Sequence, residues 1–194
     1  MKLRQSETIS KLKIPKGETI SGSKVRLRGK KLTDVRNDYR WQSDPELSRL
    51  DGAPPLTVSF PVYILDYTDS IHRPGPNRYP MAIETPDGKH IGNFTCYDID
   101  DDRGETQLGI MIGEKDYLDK GYGTDAIKTV VNHVFNNTDL NRIYLKTLDW
   151  NYRAQKCFQN CGFTMCGKLS RNGKTFLFMD IGREYWEKQQ ASNE

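Results

Sequence analysis

The stretch LGIMIGEKDYLDKGYGTDAI, running from Leu108 to Ile127, decides the reading of this chain. It opens with an apolar run, Ile110-Met111-Ile112, of the kind that fills a buried strand. It then passes through a charged loop into Gly121-Tyr122-Gly123, and a helical pattern begins at once with Thr124-Asp125-Ala126-Ile127. Glycines let the main chain bend tightly and bring bare N–H groups up to a ligand. The first N–H groups of a helix have no partner inside it and sit at the positive end of its dipole. A strand, a glycine loop and a helix start in direct succession therefore predict a main-chain anion site suited to a pyrophosphate.

Working outward, Ala126, Ile127, Val130, Val131, Val134 and Phe135 form the stripe of an amphipathic helix over Thr124 to Asn136. Beyond it, Ile143 to Leu148 reads as a strand and Tyr152 to Asn160 as a short helix ended by Gly162. Phe163 to Leu169 and Lys174 to Ile181 read as a hairpin turning on Asn172-Gly173. Before the decisive stretch lie strands at Met81 to Glu84 and Ile91 to Ile99, with turn chemistry at Pro86-Asp87-Gly88. Earlier still, Lys24 to Arg28 alternates as a half-buried strand does, and Thr33 to Gln42 reads as a helix. Asp44-Pro45-Glu46 restarts a helix with a cap, a first-turn proline and a first-turn acid. Residues 56–71 are apolar enough for one more helix, followed by a proline-rich loop from His72 to Pro80. The order favours a mixed sheet with helices on its faces.

The 194 residues suit one domain, and 36% hydrophobic with 28% charged residues is a polar-leaning globular composition. No apolar run approaches the roughly 20 residues that span a bilayer, and the N-terminus lacks a secretory h-region. A cytoplasmic location without membrane contact is expected. Cys96, Cys157, Cys161 and Cys166 make no C-x-x-C pair, so no metal site is expected and reduced thiols are. Residues 1–36 hold eleven Lys/Arg against Glu7, Glu18 and Asp34, a local charge of +8, which leaves −5 on the rest of a +3 chain. Residues 1–22 read as a flexible basic arm and 23–190 as the folded domain. Contact of the arm with RNA or a ribosome is the sharper reading, and a solvated tail is the plainer one.

Three motifs in order resemble one known family. Gly121-Tyr122-Gly123-Thr124-Asp125-Ala126 is similar to the acetyl-CoA pyrophosphate loop of the GNAT superfamily of N-acetyltransferases. Asn151-Tyr152-Arg153-Ala154, Phe158 and Cys161-Gly162-Phe163 resemble its Asn-x-x-Ala…Tyr…Gly-Phe pattern. Trp41 to Glu46 resembles a motif of its ribosomal-protein-modifying, RimJ/RimL-like branch. The rival, a dinucleotide fingerprint, needs a third glycine where Ala126 stands and an acid closing a second strand, whereas Asp139 falls before that strand.

The resemblance implies an α/β (α+β) GNAT fold: a central mixed, mostly antiparallel twisted sheet of six to seven strands flanked by about four to five helices. It implies acetyl transfer from acetyl-CoA, a co-substrate, to an amine acceptor, either a protein N-terminus or a small amine. A homodimer is compatible with it. Pantetheine would pair with main chain at Met111 and Ile112, in a gap where that strand splays from its neighbour. The pyrophosphate would lie on amides from Leu118 through Asp119, Lys120, Gly121, Tyr122 and Gly123 to Thr124. Asn151 would bind the pantetheine arm or, as a catalytic residue, orient the acetyl end; Ala154 would lie with it in the coenzyme site, and Lys120 or Lys156 could meet a phosphate. Trp41, Asp44 and Gln107 would line the acceptor side.

Two positions depart from the family. Phe158 stands where many members have a Tyr that protonates the departing thiolate, and Gln107 stands where many have a Glu base. Glu105 is the substitute base favoured here, with catalysis otherwise resting on proximity and carbonyl polarisation. Without a strong base, weakly basic α-amines would be the better acceptors, because a lysine-like amine near pKa 10.4 is almost wholly protonated at neutral pH. A non-catalytic acyl-CoA-binding module is the alternative that these departures suggest. Cys157 and Cys161, one helical turn apart, read as packing residues first and as reactive thiols second.

Overall fold

The computed structural model describes residues 12, 18–73 and 75–192. Eight strands form one sheet: β1 (Ile20–Ser21), β2 (Arg26–Gly29), β3 (Tyr79–Glu84), β4 (His90–Asp100), β5 (Glu105–Ile112), β6 (Arg142–Leu148), β7 (Thr164–Arg171) and β8 (Lys174–Gly182). Their spatial order is β1-β2-β3-β4-β5-β6-β8-β7. Every neighbouring pair is antiparallel except β5 and β6. The helices are α1 (Val35–Ser43), α2 (Pro45–Asp51), α3 (Phe60–His72), α4 (Tyr122–Asn137), α5 (Tyr152–Gln159) and α6 (Arg183–Ala191). None of the described helices is long and apolar enough to cross a membrane.

The strand and helix counts each exceed the expectation by one. The extra strand, β1, is only two residues long and pairs Ile20 with Leu27 at the sheet edge. It falls in the segment read as an arm, where no period announces it. Leu12 is buried in the main core, and the remaining residues of the arm before 18 lie outside the described residues. The extra helix, α6, buries only Trp186, too thin a stripe to register as a helical period. It closes the fold all the same. Arg183 donates to the carbonyls of Phe135 (2.6 Å), Thr138 (2.7 Å) and Leu140 (3.0 Å), which satisfies acceptors at the C-terminal end of α4.

The predicted stripe of α4 is buried in full against the sheet: Ala126, Ile127, Val130, Val131, Val134 and Phe135. Phe135 stacks on Trp186 with ring centroids 5.3 Å apart. Burial of each large side chain of this kind contributes roughly 1.5–3 kcal/mol. Asn172 and Gly173 both adopt positive φ, 52° and 70°, which a tight hairpin turn demands.

A second packing centre is ionic. Arg28 forks onto Asp34 (2.8 and 2.9 Å) and reaches Glu84 through Nε (2.6 Å). Lys30 meets Asp38 and the side-chain oxygen of Asn93, both at 2.6 Å, and Asn93 donates to Asp38 at 2.7 Å. His90 donates from Nε2 to the Gly92 carbonyl (2.9 Å). These groups lie between β2, β3, β4 and the start of α1, nearly all out of water, and they are paired within the cluster. A buried pair of this kind fixes geometry more than it adds stability, but losing one partner is costly.

Two outcomes follow from this cluster. Asp38→Ala strands the Lys30 ammonium, whose side chain is 7% exposed, and should lower unfolding free energy by roughly 3–5 kcal/mol in a denaturant titration. Burial, and then the Lys30 charge, hold the His90 pKa below its ordinary value. Below about pH 6.5 the unfolded chain takes a proton that the native ring refuses. That share of stability is therefore complete above this pH and declines as pH falls below it. His90→Gln should flatten the stability profile between pH 7 and 5; an unchanged slope would contradict the assignment.

Candidate functional site

β5 pairs with β4 along its length, from Gln107 opposite Tyr97 to Ile112 opposite Gly92. On its other side it pairs with β6 only at Glu105, Thr106 and Gln107. Beyond Gln107 the two strands part, and the main chain of Gly109 to Ile112 presents an edge to the opening. The register of the β4–β5 pair shifts between Tyr97 and Asp100, where Asp98 takes φ 51°.

Two cavities meet at this opening. The first, of about 770 Å³, runs from α2 and β5 to the start of α4 and along α5. Met111, Ile112, Leu118, Asp119, Gly121, Gly123, Thr124, Asn151, Ala154, Lys156 and Phe158 all line it. Lys120 and Tyr122 do not. Tyr122 instead meets Tyr117 edge to face with centroids 5.0 Å apart. Lys120 is exposed, and its carbonyl accepts a hydrogen bond from Lys24 Nζ at 2.9 Å. The Leu118 amide is also occupied, donating to Lys115 at 3.1 Å. The main-chain donors facing an anion are thus narrowed to the loop end and the first turn of α4.

Gly121 caps α4 at φ 84°, a conformation that side chains other than glycine's adopt rarely. The first helical bond runs from Asp125 N–H to the Gly121 carbonyl (2.9 Å), so the amides of Tyr122, Gly123 and Thr124 precede it. Asp125 turns its carboxylate away from the cavity and accepts from the amides of Ser23 (3.1 Å), Lys24 (2.7 Å) and Val25 (3.0 Å) and from the Ser23 hydroxyl (2.8 Å). Partial burial opposes its charge, but these bonds hold its pKa below the ordinary carboxylate value. Lys24, which sequence reading placed on a strand, brings a cation to the same loop.

At α5, Asn151 caps the helix, its Oδ1 accepting from the Ala154 amide at 3.3 Å. Cys157 lies beside Thr124, with Oγ1 and Sγ 3.3 Å apart. Hydrogen bonding from Cys161 pulls the Cys157 thiol down to about 7 against the effect of burial, with help from Thr124. Cys157 lines the cavity beside the first turn of α4, whereas Cys161 is buried behind it with Sγ 3.6 Å from the Thr124 carbonyl.

The second cavity, of about 640 Å³, lies on the other side of β5 between α1, α2, the loops at 53–56 and 75–78, and β4. Its wall is mostly polar and includes Gln42, Ser48, Asn93, Tyr97 and Asp98. Asn93 is the same residue that closes the buried ionic cluster. Tyr97 Oη accepts from Gln107 Nε2 at 2.7 Å, and burial raises its pKa to about 12, so the phenol keeps its proton. Gln107 thus acts through Tyr97 and is not itself a wall of the cavity.

Three expectations are corrected. Trp41 lies in the core at 1% exposure, its indole against Gly113 and its Nε1 donating to Glu114 (3.3 Å), and it lines neither cavity. Asp44 is committed to the α2 cap, accepting from Glu46 (2.8 Å) and Leu47 (3.1 Å) amides. Glu105 sits at the paired end of β5 in an ion pair with Arg142 (2.7 Å), away from both cavities, and cannot reach a reacting group there. Phe158 is buried at 7% exposure and forms part of the first cavity wall as an apolar surface.

Asp51, Ile110 and Met111 line both cavities and so mark where they join. Asp51 was missed because a single acid before a glycine carries no pattern. Its side chain is open to solvent, but the protein around it raises its pKa, and Lys146 partly offsets this. Among the described residues no group of His, Cys, Asp and Glu is placed to hold a metal.

Comparison with known proteins points the same way. A family model described as an acetyltransferase (GNAT) domain matches residues 24–164. The uncharacterized N-acetyltransferase p20 of Bacillus licheniformis is 25% identical over 177 residues, covering 87% of this chain and 98% of that one. The spermidine N-acetyltransferase of Vibrio cholerae, solved with CoA and spermine, superposes with a TM-score of 0.75 at 21% identity over 85% of this chain and 99% of that one. The aminoglycoside acetyltransferase AAC(6')-Ib, solved with coenzyme A, gives 0.71 at 21% identity over 86% and 99%.

The loop can be tested without unfolding the chain. A Cβ on Gly123 would stand in ordinary contact with Cys157 and Ile112, at 3.6 and 3.8 Å. Gly123→Leu should weaken coenzyme A binding at least tenfold, about 1.4 kcal/mol by calorimetry, with Tm shifted by only about 4 °C or less.

Proposed function

This chain belongs to the GNAT acetyltransferase family, and from that premise we propose that its two cavities divide the reaction between them. It is an acetyltransferase that uses acetyl-CoA and an amine. The cavity at α4 takes acetyl-CoA: the amides of Gly123 and Thr124 receive the diphosphate, and the free edge of Met111 and Ile112 pairs with the pantetheine arm. The polar cavity takes the amine. The single observation that carries this reading is the junction of the two cavities at Ile110, Met111 and Asp51, where β5 has left β6. There a thioester entering from one side meets a nucleophile entering from the other, and holding the two in register supplies much of the rate enhancement.

The acceptor we favour is a small, polar, cationic amine. The wall of the acceptor cavity supports it, with Asp51 and Asp98 as carboxylates among neutral hydrogen-bonding groups, although Arg78 also contributes a cation. Proteins of similar fold that act on spermidine or on aminoglycosides speak for the same class. The resemblance to the ribosomal-protein-modifying branch rests on Trp41 to Glu46, and those residues serve the α1–α2 junction here, so it bears on architecture more than on acceptor choice.

Acetyl-CoA should be incubated with the chain and, separately, spermine, kanamycin and a peptide with a free N-terminus, and free thiol followed. Release with spermine or kanamycin, exceeding that with the peptide by about tenfold or more in kcat/KM, is expected. Release with the peptide alone would reverse the acceptor assignment, and none with any amine would count against the whole reading.

A further inference from the structure

We propose that Asp51 is the proton acceptor of this site, holding the incoming ammonium at the mouth between the two cavities and taking the proton it must lose before attack. The inference rests on the assignment of the two cavities above.

Position is the first argument. Of the three residues common to both cavities, Ile110 and Met111 are apolar, which leaves Asp51 as the ionisable side chain at the junction. Its surroundings are the second. Asp51 is the last residue of α2, ahead of Gly52 in the left-handed conformation. The carbonyl ends of the helical peptides lie there, and their partial negative charge disfavours a carboxylate. No hydrogen bond or ion pair engages it among the described residues. By contrast, Glu105 is held by Arg142 and Asp125 by three amides. The Asp51 side chain is open to solvent, yet the protein packed around it pushes its pKa up, and Lys146 on β6 draws it only partly back. A raised pKa makes a carboxylate a better match for a proton from an amine near neutral pH. From β4, Asp98 shares the cavity wall, and Tyr97 senses the Asp51 charge while keeping its own proton.

The step balances without any further reagent. Asp51 carboxylate takes one proton from R–NH3+, directly or through one water. The freed lone pair attacks the thioester carbonyl carbon, a C–N bond forms and the C–S bond breaks. The nitrogen's second proton leaves with the coenzyme A thiolate to give the thiol. The carboxylic acid then returns its proton to water, and the net products are the amide, the thiol and one proton. With such a base, strongly basic aliphatic amines become acceptors, which reverses the preference for weakly basic α-amines expected from the loss of the family's Glu and Tyr.

The test compares wild type, Asp51→Asn and Asp51→Glu, with acetyl-CoA and whichever of spermine, kanamycin and the peptide the wild type acetylates. Asp51→Asn should lose about 100-fold or more in kcat/KM at pH 7. Its acetyl-CoA affinity should stay within about threefold of wild type, which also reports a folded site. The inflection that Asp51 gives the wild-type pH profile should be lost in this variant, whose rate should instead climb steadily with pH and converge on wild type toward pH 10 as the free amine accumulates unaided. Asp51→Glu should restore part of the rate and retain an acid limb. Asp51→Asn within about threefold of wild type, with the acid limb intact, would overturn the proposal. So would weakened acetyl-CoA binding at unchanged kcat, which would assign Asp51 to donor binding. A wild type that neither binds acetyl-CoA nor releases thiol would instead sink the cavity assignment itself, so the two failures are distinguishable.

Discussion

β5 and β6 pair at Glu105, Thr106 and Gln107 and then separate, while β6 continues alongside β8 as far as Leu148. Main-chain N–H and C=O groups inside a protein are costly to leave without partners. The edge at Gly109 to Ile112 is therefore a demand for something extended, and no strand among the described residues meets it. β4 backs the same residues on their other side, so the edge is held in register. The crossover from β5 into β6 then delivers the start of α4 to one end of the opening. The strand order alone thus produces an open edge and an anion site in one cleft, before any side chain contributes chemistry.

The contrast between what the sequence disclosed and what it hid follows the range of the forces involved. The strand–glycine–helix run was legible because φ at Gly121 and the helix start at Tyr122 are local properties. The α4 stripe was legible because burial imposes a 3.6-residue period that survives in one dimension. Asp51 was not, because its role comes from two walls brought together by elements distant in sequence. Trp41 and Asp44 misled for a related reason. Their motif is a packing and capping unit, and a conspicuous aromatic beside an acid looks the same whether it faces a ligand or a core. Glu105 failed on register. It lies on the right strand, but at the end still paired with β6, and Arg142 claims it.

The ionic cluster under α1 bears on function through one residue. Asn93 receives Lys30, donates to Asp38, and also lines the second cavity. A wall side chain with both amide atoms engaged elsewhere has little rotational freedom. That part of the cavity is pre-shaped by charges that never touch a ligand, which lowers the ordering cost of binding. Tyr97 is restrained in the same way by Gln107. The polar cavity is built from side chains already held in place, so its selectivity resides in shape as well as charge.

The carboxylate of Asp125 sits in the first turn of α4 yet binds the amides of residues 23 to 25 instead of its own helix. It ties residues 23 to 25 to the start of α4, the helix end we propose for the anion. Bringing a diphosphate to those amides and docking the N-terminal segment are thus parts of a single ordering event, and each should make the other easier. Anything that loosened residues 23 to 25, such as a cleavage just upstream or a bulky fusion there, would be felt as weaker grip on the coenzyme, although no atom of that segment need touch it.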